Sequence, residues 1–288
     1  MKIYIANQSH QKLGGGFTFL RNLTKGLAGK VDFVLTPECC DIYFIASATM
    51  VSRDEVVVAK NLGKKIVLRV DNIPRNSRNR NTGTSRLFDF AQLADLIIYQ
   101  SHWAKDFIGK FIDPGNDKNW AIIYNGVDKS VFRPDGEKIP KDGKPQYLYV
   151  RYNRDENKRW EDAWFYFQKL ILRGDRSSHL WIVGNFSNEL AQYNFDFFGG
   201  AEKRYHFWGN IESREEMARI YRSADILLMP FVNDACSNTF LEARISGCII
   251  DYLGHIFSGG TLELMYLSDK EISLDVMCDN YLNKFLDL

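Results

Sequence analysis

Short apolar runs alternate along the whole chain with longer stretches whose apolar positions recur every three or four residues. Brief runs rich in Val, Ile, Leu and Tyr, bounded by turn residues, read as strands of a parallel sheet covered on both faces. In the first half these are Ile3–Ala6, Val31–Leu35, Ile42–Ala46, Lys65–Val70, Leu96–Gln100 and Ala121–Tyr124, with helices expected at Phe17–Ala28, Arg53–Leu62, Arg86–Ala94 and His102–Phe111. The second half restarts the alternation, with strands at Tyr147–Arg151, Leu180–Val183, Tyr205–Trp208, Ile226–Met229 and Ile249–Tyr252. Its helices are expected at Arg159–Leu172, Arg214–Ser223, Asn238–Ser246 and Gly260–Tyr266. Repeated βα units predict an α/β protein with a doubly wound parallel sheet in each half.

Between the halves, Phe132–Pro145 is polar and broken by Pro134, Gly136, Pro140, Gly143 and Pro145, which is linker composition. The expected organisation is therefore a domain over residues 1–135, a second over 146–274, and a terminal helix over 275–288 packing back on the body. Ligands of such sheets bind outside the carboxyl ends of the strands, so the two domains are expected to face a working cleft.

Composition narrows the classes. With 288 residues and 45% hydrophobic content, two cores of ordinary size can be filled. No apolar run approaches the roughly 20 residues that span a bilayer, and a strand opens the chain where a leader would stand, so a cytoplasmic protein is expected. The five cysteines, with Cys39 and Cys40 adjacent, show neither a disulfide framework nor zinc spacing. A net charge of +1 excludes a globally basic nucleic-acid binder.

Three consecutive glycines, Gly14, Gly15 and Gly16, sit between the first strand and the first helix. A helix N-terminus offers unpaired amides and positive dipole charge, and glycines let a phosphate come close. The same turn can equally serve with no ligand at all. In the second half, Asp234 and Glu242 lie eight positions apart across a strand-to-helix loop. Ser237 or Asn238 can cap the following helix, leaving the Asn238, Thr239 and Phe240 amides for a phosphate; Glu242 is placed to accept from a ribose and Asp234 from a sugar. Plain capping with an exposed glutamate is the other reading of that spacing. A third feature is Arg75–Arg86, where Arg75, Arg78, Arg80 and Arg86 alternate with Asn, Ser and Thr and no acidic residue intervenes. Such a loop seeks phosphate and points to a polyanionic acceptor: DNA carrying a hydroxylated base, or a phosphorylated lipid or lipopolysaccharide. For DNA, Trp103 and Trp120 are stacking candidates, their alternative place being the core.

Several segments in order resemble the retaining glycosyltransferases of family 4, a GT-B fold group. They are Ala94–Ser101, Ile123–Asp128 with Phe132, Tyr149–Arg151 followed by Lys158, Val183-Gly184, Phe207–Gly209, and Ala224–Pro230 with Asp234, Glu242-Ala243 and Gly247. The resemblance implies two Rossmann-like domains and transfer of a sugar from a nucleotide-diphosphate sugar with retention of configuration. It implies that Arg151 and Lys158, with Arg154 as a substitute, stabilise the departing diphosphate. Asp234 stands at the first acidic position of the family's paired-glutamate motif, one methylene shorter. The family's histidine after the fourth strand has no counterpart, and Arg69 and Asp71 stand in that stretch as candidates for sugar or acceptor contacts. No Asp-x-Asp motif occurs, so no cofactor and no metal are expected. The enzyme alternative is a GT-B-like nucleotide-sugar epimerase, and the non-enzyme alternative is a nucleotide-sugar or nucleic-acid binding module. A lipid acceptor would place the protein peripherally at a membrane.

Overall fold

The computed structural model describes residues 1–6, 15–71, 80–112, 118–152, 156–185, 204–254 and 259–288, and of 80–84, 151, 152 and 156 the backbone alone. These form two compact units: residues 1–128 with 233–238 and 259–288, and residues 129–232 with 239–258.

The first unit holds a six-stranded, all-parallel sheet in the order β2-β1-β3-β4-β5-β6. Its strands are β1 (Lys2–Ala6), β2 (Asp32–Val34), β3 (Ile42–Ile45), β4 (Lys65–Val70), β5 (Leu96–Tyr99) and β6 (Asn119–Ile122). Alternate side chains leave opposite faces of a strand, so both faces of these apolar strands must be covered. On one face Tyr43, Ile45, Leu68 and Ile97 pack with α2 (Arg53–Asn61), α3 (Arg80–Leu93) and α4 (His102–Ile112). On the other, Ile42, Phe44, Val67 and Ile98 pack with α1 (Gly15–Leu27) and the last helix. Helix α2 starts where the sequence says it should, at a reciprocal capping box between Ser52 and Glu55.

The second unit holds a five-stranded parallel sheet, β11-β10-β7-β8-β9. It is built from β7 (Gln146–Tyr152), β8 (His179–Gly184), β9 (Tyr205–Gly209), β10 (Ile226–Leu228) and β11 (Ile249–Asp251). Its described helices are α5 (Trp160–Leu172), α6 (Arg214–Ser223) and α7 (Asn238–Ile245). Strand order reverses at β7: β8 and β9 add on one side, and the chain returns to place β10 on the other. That reversal is the topological switch point, where open α/β sheets bind ligands beyond the strand carboxyl ends.

Two expectations meet a different outcome. The first unit ends at Asp128, ahead of the Phe132–Pro145 linker, and takes back both 233–238 and everything from Gly259 onward, where the pattern predicted one domain over 146–274. Gly260–Tyr266 is a 3₁₀ segment rather than an α-helix. The expected terminal helix is present as α8 (Leu274–Leu286) and packs back on the first unit, where Tyr281 lies against Phe19 and Phe44. The domain bounds differ because local periodicity records which face of an element is apolar and not which sheet will cover it. No helix among the described residues is long and apolar enough to cross a membrane.

Candidate functional site

In the second unit the switch point brings together the segments that leave β7 and β10. β7 carries Arg151, whose backbone is in the strand; Arg154 lies outside the described residues. The chain then makes a 3₁₀ turn over Glu156–Lys158, and Arg159, in the left-handed region at φ 48°, passes it into α5. This turn is tied to the segment after β10. The Val232 amide donates to the Asn157 carbonyl (2.9 Å), the Tyr149 hydroxyl donates to the Lys158 carbonyl (2.9 Å), and the Lys158 ammonium lies 3.9 Å from the centre of the Phe231 ring. A cation held over an aromatic face keeps its charge while its stem packs. Glu242, on α7, is buried at 9% exposure, and the Tyr221 hydroxyl is 3.4 Å from its Oε2. The exposed glutamate of the plain-capping reading is therefore not what the fold builds. Thr239, in the first turn of α7, is also buried.

The first unit holds the segment before α7. The Asp234 backbone pairs with Gly259 in a β-bridge, and the Thr261 amide donates to the Asp234 carbonyl at 3.3 Å. Gly259 is at φ +67°, and a Cβ there would stand 2.8 Å from the Asp234 carbonyl oxygen, so glycine is required on both counts. The Ser237 amide is taken by the Thr261 hydroxyl (3.1 Å). Asn238 Nδ2 donates to the Gly15 carbonyl (3.3 Å) in the first turn of α1, so two separately predicted donor-binding elements meet. Gly15 and Gly16 open α1, two residues before the Phe17 start that the apolar pattern suggested, and Gly14 lies outside the described residues.

Arg69 is 2% exposed, with its guanidinium 3.7 Å from the centre of the Phe19 ring. It donates to the Ala46 carbonyl (3.2 Å) and to Asn125 Oδ1 (3.1 Å), and Asp71 Oδ2 is 4.0 Å away. These contacts commit the side chain inside the fold. Arg75 and Arg78 lie outside the described residues, and Arg80 is described by its backbone at the start of α3. Of the two tryptophans, Trp103 is partly buried against the core and stacks on Phe107, whereas Trp120 is half exposed beneath the Lys105 ammonium. Among the described residues no group of three or more His, Cys, Asp or Glu is arranged to hold a metal ion.

Two residues of this region were not singled out by sequence reasoning. Asn125 donates from Nδ2 to the Cys236 carbonyl at 3.0 Å, and its own amide faces Cys236 Sγ at 3.3 Å. Burial pushes the Cys236 thiol up to about 12, so it stays protonated. Glu263 accepts from the His102 and Trp103 amides at the start of α4 and from the Tyr124 hydroxyl (2.7 Å). Burial first, then this carboxylate, push the Tyr124 phenol well above its usual range. Asn125 stood inside a quoted motif and could have been flagged there; Glu263 carries no local signal, because its partners are about 140 to 160 residues away.

A family model described as "Glycosyl transferases group 1" matches residues 145–250, which contain β7, Lys158 and the Asp234–Glu242 segment. No curated protein matches the chain by sequence. Among solved structures, HepE of Anabaena in complex with UDP-glucose aligns over 100% of both chains with a TM-score of 0.71 and 11% identity. Sucrose-phosphate synthase of Thermosynechococcus elongatus aligns over 98% of this chain and 94% of its own, with TM-score 0.65 and 13% identity. The apo form of the lipopolysaccharide outer core galactosyltransferase WaaB aligns over 100% of both, with TM-score 0.63 and 15% identity. The fold is GT-B.

Proposed function

We propose that this protein is a metal-independent retaining glycosyltransferase of family 4, moving a sugar from a nucleotide-diphosphate sugar to a polyanionic acceptor. The observation that carries the reading is the family match over 145–250: it covers both segments that leave the switch point of the second sheet. Lys158, with Arg151 and Arg154, supplies positive charge to the departing diphosphate, the α7 amides from Asn238 to Phe240 add theirs, and Glu242 accepts from the ribose. Asp234 and Asp71 are assigned to the sugar, and Gly14, Gly15, Gly16, Ser237, Asn238 and Thr239 to the donor. Arg75, Arg78 and Arg80 are assigned to the acceptor, DNA with a hydroxylated base or an anionic glycolipid. The buried Arg69 is reassigned from contact to positioning.

Uridine is the first base to test, since HepE is seen with UDP-glucose. The purified protein is incubated with UDP-, GDP-, ADP- and TDP-sugars, with DNA and anionic lipid acceptors, while nucleotide release is followed. One donor is expected to release nucleotide with transfer to acceptor. Lys158→Ala is expected to lower that turnover at least tenfold, about 1.4 kcal/mol of barrier, with little change in thermal midpoint. Tight nucleotide binding with no release from any donor would replace this reading with a binding module, and a changed sugar without transfer would replace it with an epimerase.

A further inference from the structure

We infer that Arg69 and Asn125 are a positioning pair that fixes the carbonyl of Cys236 and, through it, the segment carrying Asp234 and Ser237. The inference rests on the glycosyltransferase reading for its kinetic consequence and on the geometry alone for its structural one. Asn125 can present either end of its amide to either neighbour. A guanidinium offers only donors, so its 3.1 Å contact obliges Oδ1 to face Arg69. Nδ2 must then face the Cys236 carbonyl, which it does at 3.0 Å. The cation therefore sets the sense of the amide, and the amide holds the loop.

The guanidinium itself has little freedom. The Phe19 ring centre lies 3.7 Å from it, the Ala46 carbonyl takes a second donor, and Tyr281 of α8 is near enough for the Arg69 charge to act on its phenol. Tyr281 is wholly buried; burial raises its phenol and the neighbouring Arg69 charge pulls it back. A planar fork packed in this way is preorganised, so little entropy is lost in holding Asn125. Downstream, Cys236 lies between two other fixed points, the Asp234–Gly259 bridge and the Ser237 amide on Thr261. Without the Asn125 side-chain bond the Cys236 carbonyl loses the donor that orients it between those two points, and the setting of Asp234 and Ser237 loosens.

Asn125→Asp separates positioning from packing. An aspartate preserves the volume and gives Arg69 a charged partner, but offers an oxygen where the Cys236 carbonyl needs a donor. Amide hydrogen exchange and thermal unfolding of the full chain come first. The Ser237 amide is expected to exchange at least tenfold faster in N125D than in the unmodified protein, while core amides of β3 and β4 are unchanged. Kinetics with UDP-glucose, or whichever donor of the panel is turned over, should show kcat lowered about tenfold or more and the donor KM raised, because Ser237 and Asn238 are assigned to the donor. Arg69→Lys, which keeps the charge and loses the fork, should show the same exchange signature, and Asn125→Gln should not rescue it. Unchanged exchange at Ser237 in a folded N125D protein overturns the pairing, as does unchanged kcat. If N125D does not fold, Arg69→Lys decides by the same two readouts. A protein inactive on every donor that still shows the exchange difference loses the glycosyltransferase reading and keeps the positioning pair.

Discussion

Gly126 shows at the scale of one residue how tightly the first unit is fitted. A Cβ at this position would stand 2.6 Å from the Ser273 carbonyl oxygen and 2.8 Å from both Leu274 Cα and Met277 Cβ. Two of these contacts are backbone, so relief requires moving the start of α8. The carbonyl of Gly126 is also taken, by Asn22 Nδ2 at 3.0 Å. Gly126→Ala is expected to destabilise by about 1–3 kcal/mol, read as a lowered urea midpoint at unchanged m-value; a midpoint equal to that of the unmodified protein would show that α8 yields at no cost. Its neighbours are as constrained. Val127 exchanges backbone hydrogen bonds with Ile272 and Leu274, and the buried Asp128 is bound by Lys25 at 2.6 Å. The Asn-Gly-Val-Asp run was legible as a motif, but the reason for each residue in it was not, since every partner is distant in sequence.

At the scale of elements, each sheet uses the same device to begin a strand. Asp95 precedes β5 and accepts from the Ile66 amide of β4 (2.8 Å) and from Lys60 (2.7 Å). Asp225 precedes β10 and accepts from the Gln146 amide of β7 (2.8 Å) and from Lys141. An aspartate one residue before a strand thus pins an amide in the first two residues of the adjacent parallel strand and fixes register. Burial works against both charges, yet the hydrogen bonds and lysines outweigh it, and both carboxyls titrate below the ordinary 3.8. The sign follows: each contributes stability in full above 3.8 and loses it as pH falls through the lower folded value. Asp95→Asn and Asp225→Asn are each expected to lower stability at pH 7 and to flatten the acid limb below pH 4, measured by urea unfolding across pH 2 to 7. An acid limb as steep as in the unmodified protein would remove these carboxylates from the linkage. The two Ala-Asp dipeptides were visible in the sequence as parts of the resemblance; that they are strand-register pins appears only once the strands are paired.

At the scale of the whole molecule, the chain finishes its first unit last. Met277, Cys278, Tyr281 and Phe285 of α8 fill the face of the first sheet also covered by Phe19 and Leu23 of α1. Ending the chain at residue 273 would expose Phe19 and Phe44, both buried to 1% or less, together with Leu27. Loss of this much apolar cover is expected to abolish the cooperative thermal transition of the first unit and raise binding of a hydrophobic dye, with the second unit's transition retained. A truncated protein with both transitions within a few degrees of the full chain would show that α8 is an accessory.

The sequence by itself determined the alternation of strand and helix, the parallel character of both sheets and the segments that leave β7 and β10, because these are written in local periodicity and in glycine and capping residues a few positions apart. It also marked Asp234, Glu242 and Lys158. Only the tertiary structure decided that Glu242 is buried against Tyr221, that Arg69 stacks on Phe19 and holds Asn125, and that 233–238 and 259–288 belong with the first sheet. Those outcomes depend on which distant surfaces meet, and burial, hydrogen-bond pairing and close backbone approach are properties of the meeting, with no trace in the spacing of residues along one segment.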